Sequence, residues 1–399
     1  MRNVDAGGLG IGDDHPPRIM GVLNVSRESP YKPSVFDDPG EAAAYVDGMI
    51  DEGADIVDVG LESANKRYEV LTAAEERDRL DVAVETMASV SGDAVFSIET
   101  RYAEVAAAAL DRGFDMVNDI CGFADPEMPR VCADRDVAVA KMASPPDLER
   151  PGAVGDVDWA ARKSPEWAAE ATYVDEVYEA LRQNGFTDRT IVDPAFGGWS
   201  ERKTLDHDRE TFRRLREFRG FGRPILVSIN RKNFLREVAG RETEAALPVS
   251  LGATAMAVER GAHVVRTHDV AETRDAARIG AAFARRRVRE PGDVSVEELD
   301  VTTSAEAARH LDRLAADPSA GERSVARVFE FGGLGPGDRA ALAEAAAGTD
   351  AAFAPAGTAD TGGLLAGTPA GLAAVVEAAE GSDALAAALE RVSGAADPG

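Results

Sequence analysis

The chain has 399 residues, 44% of them hydrophobic, and carries a formal net charge of -27 with a pI near 4.6. That length buries a large core without covalent staples and has room for a large domain beside a small one. The charge argues against nucleic acid and anionic membrane as partners, since both would repel it; it is also what a protein working in high salt would carry.

The opening "MRNVDAGGLGIGDDHPP" has no basic n-region and no apolar h-region. Residues 1–17 are therefore expected to form a cap segment, not a signal peptide. No apolar stretch reaches membrane-spanning length, so a soluble, cytoplasmic protein is expected. Cys121 and Cys132 lack zinc-ligand spacing and cannot make a disulfide framework. They are expected to be small core or loop residues.

From residue 18 to about 287, short β-rich runs alternate with helical stretches: "IMGVLNV", "ADIVDVG", "AVFSIET", "DMVNDI", "VAVAKM", "TIVDPAF", "PILVSIN" and "HVVRTHD". Near-continuous apolar strands separated by helices indicate a parallel sheet covered on its outer face. Eight such units over 18–287 predict an α/β fold, a (β/α)8 TIM barrel. Gly53, Gly113 and Gly261 each precede a strand where a helix should end, as a left-handed cap requires.

Polarity enters at the C-terminal ends of these strands: Asn24, Asp58, Glu62, Glu99, Asn118, Asp119, Lys141, Asp193, Arg231, Lys232, Arg266 and His268. In such barrels that face carries the active site, and the opposite face carries stability. One polar strand end is usually a helix cap; polar groups of both signs at every strand point to a functional cleft. Arg231, Lys232, Arg266 and His268, on strands seven and eight, are expected to form a phosphate clamp. Glu99, Asn118 and Asp193, across the barrel, suit the donor edge of a flat heterocycle. Mutual neutralisation in a structural network is the competing reading of the same charges.

The runs "IMGVLNVS", "GADIVDVGLES", "VFSIET", "VNDI", "VDPAFG", "SINRKNF" and "VVRTHDV" resemble, in order and spacing, the dihydropteroate synthase family. The resemblance spans residues 18 to about 287. It implies a magnesium-assisted transferase that joins p-aminobenzoate to 6-hydroxymethyl-7,8-dihydropterin diphosphate and releases pyrophosphate, working as a homodimer. By motif, Asn24, Lys232, Arg266 and His268 are then the catalytic residues. Asn24 helps hold the metal and the diphosphate, and Arg266 and His268 grip the leaving diphosphate. Glu99, Asn118 and Asp193 read the pterin edge, with Lys232 along the ring.

The chain departs from the family mainly on the acceptor side. The first loop reads "NVSRESPYKPSVF" where the family has Thr-Pro-Asp-Ser-Phe after the Asn. Leu61, Ala64 and Asn65 replace the second Gly, the Thr and the Arg of Gly-Gly-Glu-Ser-Thr-Arg, Glu99 stands for an Asp, Lys141 for a His, and Asn230 for a Ser. Lys66, Arg67, Asn230 and Arg231 are the expected p-aminobenzoate site, together with the helix N-terminus behind Arg231. Only six residues are lysines, yet Lys32, Lys66, Lys141, Lys203 and Lys232 all lie in or beside strand-end loops, which favours a cleft lined by them.

Residues 288–300 are expected to be a linker and 301–395 a small α/β domain, reading helix-strand-helix-strand-helix. Its "FGGLGPGD" lacks the Lys and hydroxyl of a phosphate loop and is expected to be a strand-to-helix turn. Two other functions remain open: a barrel that binds a reduced pterin as a methyl carrier, and a non-catalytic pterin-binding or regulatory protein. The first has no need of a diphosphate clamp; the altered acceptor loops leave room for the second.

Overall fold

The computed structural model describes residues 1–26, 32–63, 70–148, 150–198, 200–290, 294–357 and 362–396. It divides into two compact units, Met1–Phe218 with Arg223–Arg285, and Arg219–Gly222 with Arg286–Gly399.

Among the described residues, the first unit has the expected parallel strands: β1 Arg18–Asn24, β2 Ile56–Gly60, β3 Val95–Thr100, β4 Met116–Asp119, β5 Ala138–Met142, β6 Thr190–Asp193, β7 Leu226–Val227 and β8 Val264–Thr267. They pair in the order 6-5-4-3-2-1-8-7, all in parallel. The ring closes between β6 and β7 through the Val192–Ile225 bridge, where the Val192 N–H donates to the Pro224 carbonyl at 2.9 Å. Helices follow the strands, including α1 Pro39–Glu52, α2 Ala73–Ser89, α3 Ala103–Leu110, α4 Met128–Asp134, α5 Tyr173–Arg182, α6 Leu205–Arg213, α7 Leu247–Glu259 and α8 Val270–Phe283. Gly53, Gly113 and Gly261 have φ of 103°, 103° and 101°, the positive values expected of them before β2, β4 and β8.

The interior is built in layers because strand side chains alternate between faces. Met20, Ile56, Val95, Met116, Ala138, Ile191, Leu226 and Val264, one from each strand, form a single buried apolar layer. Val4, Ala6 and Ile11 join it from an N-terminal hairpin, Val4–Ala6 paired with Leu9–Ile11. The cap segment thus plugs the barrel at the N-terminal ends of the strands. Two residues further along, the same inward face carries Asp58, Ser97, Asn118, Asp193 and Arg266. The period of two turns an apolar plug into a polar mouth within one step.

That parity corrects two expectations. Ala138 and Ala140 face the interior, so Lys141 points outward, beneath the helices. Its Nζ donates to the Gln183 carbonyl and, at 2.9 Å, to the Gly185 carbonyl, just past the end of α5. The ammonium lies 4.6 Å from the Phe123 ring centroid and 5.2 Å from that of Phe186. Burial pushes it down to about 7. Asp119 is likewise outside the mouth, accepting from the Cys121 and Phe123 N–H groups at 2.8 and 2.7 Å. Both cysteines are buried and free.

The second unit, taken by itself, contains α9 Ser304–Arg313 and a three-stranded antiparallel sheet of β9 Arg327–Phe331, β10 Ala351–Pro355 and β11 Gly363–Gly367, ordered 9-11-10. Helices α10 Pro336–Ala346, α11 Pro369–Ala378 and α12 Asp383–Ala396 share a buried cluster with it, including Leu342, Leu365, Leu372 and Leu389. β11 and α12 go beyond the expected pattern. "GLLAG" has no β-branched or aromatic residue to announce a strand, and only its place between two others makes it one. "FGGLGPGD" is the turn from β9 into α10, with Gly333 at φ 74°. Within the stretch expected to be a linker, Arg289–Glu290 pairs with Val296–Glu297.

Because Lys141 closes the end of α5 instead of lining the mouth, Lys141→Met should cost about 1 kcal/mol of stability by taking the donor from two partly exposed carbonyls. Urea unfolding measures this. An unchanged midpoint would show that the ammonium is not spent on those carbonyls.

Candidate active site

Arg266, from β8, reaches across β1 to the two strands beyond it. Its Nε donates to Asp58 Oδ2 at 2.7 Å and its Nη2 to Glu99 Oε2 at 2.6 Å. Asn118 Nδ2 donates to the same Asp58 oxygen at 2.9 Å. Strands eight, two, three and four are therefore joined by one buried polar network. Burial alone would lower the Arg266 pKa, but Glu99 and then Asp58 hold the guanidinium charged. Burial also raises the Glu99 carboxyl, against the pull of Arg266. The expected separation of cations from acceptors does not hold here. Arg266 sits among the acceptors, so the neutralising network and the cleft are one arrangement.

The network leaves acceptors unused. Asp58 Oδ1 and Ser97 Oγ are buried with no hydrogen-bond partner among the described residues, a condition native interiors rarely tolerate unless something else completes it. In the sequence Asp58 stands out only as a polar strand end, and Ser97 carries no such mark. Their signal was parity, since each lies two residues past an inward apolar residue.

Asp193 ends β6. Its Oδ1 accepts from the Ala195 N–H at 2.7 Å, and burial raises the carboxyl to about 6. Lys232 begins the short helix Asn233–Ala239 as its N-cap. Burial, and then the charge of Arg266, pushes Lys232 down to about 8, with Asp208, Lys203 and Asp193 also acting on it. These two expected residues are brought together with Arg266. His268 is different from the expectation. Burial and then Arg266 push it down to about 3, so near neutral pH it is an uncharged hydrogen-bonding ring, not a cation.

Asn24 Nδ2 donates to Ser34 Oγ at 2.9 Å, which fixes the amide. Its Oδ1 lies 3.1 Å from where a Cβ on Gly60 would stand, so a glycine there gives the oxygen its place. Arg231 is not presented outward as the sequence suggested. Its Nε and Nη2 grip Asp269 at 2.8 and 2.9 Å, and its Nη1 donates to the Thr243 and Glu244 carbonyls at 2.8 and 2.9 Å. Asn230 Nδ2 adds a third donor to Asp269 at 2.9 Å, leaving Asn230 Oδ1 without a partner among the described residues. Although its partial burial acts the other way, these bonds hold the Asp269 carboxyl below its usual range. The β7 and β8 loops are clamped together by this pair. Lys66 and Arg67 lie outside the described residues. At the base of their loop, Arg101 Nη1 donates to Glu62 Oε2 at 2.7 Å and Arg101 Nη2 to the Leu71 carbonyl at 2.9 Å.

The family model for pterin binding enzymes matches residues 20–268, which include every residue placed above at the mouth. The chain belongs to the pterin binding enzymes. Its relatives place it in the dihydropteroate synthase family: the Clostridium beijerinckii dihydropteroate synthase is 30% identical over 271 residues, 67% of this chain and 94% of its own. A Haloferax volcanii protein described as a probable bifunctional folylpolyglutamate synthase/dihydropteroate synthase is 34% identical over 278 residues, 69% of this chain but 32% of its own length. The chain thus spans about a third of the first curated relatives it matches. Among solved pterin binding enzymes, the Coxiella burnetii dihydropteroate synthase with pteroic acid has a TM-score of 0.57 at 26% identity, covering 71% of this chain and 99% of that one. The Thermus thermophilus enzyme with 4-aminobenzoate has a TM-score of 0.54 at 29% identity, covering 71% and 100%.

Arg231 therefore acts as a clamp between loops, which sets its expected behaviour. Arg231→Met should cost about 1–3 kcal/mol, because the half-buried Asp269 carboxylate then keeps Asn230 as its side-chain donor. Arg231→Met with Asp269→Leu should recover most of it, as thermal melts of the single and double variants would show.

Proposed function

We propose that the chain is a dihydropteroate-synthase-type transferase of folate formation. It joins p-aminobenzoate to 6-hydroxymethyl-7,8-dihydropterin diphosphate with release of pyrophosphate. The observation that carries this reading is the surplus of buried acceptors around one charged Arg266: Asp58, Ser97, Glu99, Asn118 and Asp193. A fused heterocycle with an amine and ring N–H groups along one edge supplies the missing donors. The relatives solved with pteroic acid and 4-aminobenzoate support the same substrates.

The chemistry needs little covalent help. The arylamine nitrogen lone pair forms a bond to the exocyclic methylene as the carbon–oxygen bond to the diphosphate breaks. The diphosphate leaves with that electron pair, and the new ammonium loses its proton to solvent. Asp193 and Asn118 orient the ring, and Lys232 lies along it. Arg266 keeps Nη1 free of any partner among the described residues, so that nitrogen is its donor toward the leaving group. His268, uncharged in the free protein, accepts or donates there and gains a proton more readily beside an anion. Preorganised charge of this kind is the largest source of such rate enhancement.

Magnesium is the proposed cofactor. The fixed Asn24 amide oxygen is one suitable hard ligand. No group of three or more His, Cys, Asp or Glu side chains suited to a metal occurs among the described residues. That donor set fits an ion carried in on the diphosphate and completed by water. Bound there, magnesium would neutralise charge on the departing oxygens. Lys66 or Arg67 is proposed to balance the benzoate carboxylate. The enzyme is proposed to work in the cytoplasm as a homodimer. Met256 on α7 and Ile279 and Phe283 on α8 are exposed apolar side chains suited to a partner copy.

Purified protein given both substrates and magnesium should release pyrophosphate only when all three are present. No release would end the transferase reading. Asp193→Asn puts a donor against donors, so calorimetry should show pterin affinity reduced at least tenfold, about 1.4 kcal/mol, in a folded protein.

The pH dependence of pterin binding follows from the same groups. Asp193 is ionised above about 6 and Lys232 charged below about 8, so affinity should be highest between those values. Asp193→Asn should erase the acid limb. An acid limb that survives in that variant would belong to another carboxyl.

A further inference from the structure

The turn that aims Asp193 is held in an unfavourable conformation. Ala195 has φ 64°, the left-handed region that a residue with a Cβ avoids. Its N–H is the donor to Asp193 Oδ1, so the carboxylate and the left-handed residue belong to one turn. Two buried side chains from further along hold it there. Lys203 Nζ donates to the Ala195 carbonyl and pairs with Asp208 Oδ1 at 2.9 Å. Asp208, in α6, accepts from the Gly197 N–H at 3.2 Å with each of its oxygens. Both ends of the turn are therefore tied to α6. The Lys203 and Asp208 side chains are 2% and 4% exposed, and a buried ion pair is an expensive way to gain stability alone. Lys203 follows Asp193 by ten residues in the sequence, yet its side chain returns to the turn beside it.

We infer that Lys203 and Asp208 are positioning residues for pterin recognition, acting as a strut that locks the left-handed turn at Ala195 and so fixes the Asp193 carboxylate. This rests on the reading of Asp193 as the acceptor for the pterin edge. Neither residue touches the ligand in this arrangement. The strut works through main-chain geometry, and its removal loosens one half of the site only. Pterin affinity depends on it, while the arylamine side, held on other loops, does not.

The test uses the full chain and the double variant K203M/D208N. Removing both charges avoids stranding either, and the amide at 208 keeps an acceptor for the Gly197 N–H. Lys203 also lowers the Asp193 carboxyl by its charge, an effect that a further backbone variant, which restores no charge, cannot reverse. Calorimetry with 6-hydroxymethylpterin should give a Kd roughly tenfold weaker than wild type. The apparent constant for p-aminobenzoate at saturating pterin and the unfolding midpoint should change little. Adding A195G removes the Cβ that makes the turn unfavourable and should return the Kd to near the wild-type value, a rescue that a merely structural ion pair would not show. A wild-type Kd in the double variant overturns the inference, and so does a weakened Kd that A195G fails to restore. If the wild-type protein binds no pterin, the proposed function fails separately, and a crystal structure of K203M/D208N decides the strut. Ala195 leaving the left-handed region would then support it, and Ala195 remaining at φ near 64° with its bond to Asp193 would refute it.

Discussion

A guanidinium inside a barrel has to be answered by carboxylates, and that requirement organises the upper half of this protein. Arg266 finds Asp58 and Glu99 because parallel pairing puts β8, β1, β2 and β3 side by side, each presenting every second residue inward. A slip of one residue in any of these strands would turn a charged group into the helical layer and an apolar one into the mouth. The ion network and the apolar layer beneath it thus enforce the same register from two sides. Glu99 stands where the family resemblance expects an Asp, and its carboxylate meets Arg266.

The loops are organised by similar but separate devices. Arg231 and Asp269 bind the β7 and β8 loops to each other, Glu62 and Arg101 hold the base of the β2 loop, and Lys203 with Asp208 folds the β6 loop onto α6. Each pair joins a loop to its neighbour or to the helix behind it. The acidic character of the whole chain stops at this level: inside the mouth, cations and carboxylates are nearly matched.

The barrel was legible because buried parallel strands read as apolar runs and their polar ends mark one face. What the sequence did not disclose was parity. Asn118 and Asp119 are adjacent, as are Ala140 and Lys141, yet one of each pair enters the barrel and the other lies under the helices. Only the register with neighbouring strands decides which. The same ambiguity made Arg231 look like a substrate ligand. The pattern "SINRKNF" says that two cations end a strand; it does not say that one of them turns back onto Asp269. His268 was read as a cation by residue type, whereas burial beside Arg266 keeps it neutral. In the second unit, β11 has no strand-forming residues of its own and is created by the partners on either side.

The ring of strands has a seam. β6 and β7 meet at the Val192–Ile225 bridge, where the other neighbours share continuous ladders. Asp193 stands at the mouth on one side of that seam and Lys232 follows from the other. A molecule held by both becomes a rung across the weakest joint of the cylinder. Under the proposed function, a bound ligand would then add a tie at the point where the cylinder has one strand bridge among the described residues.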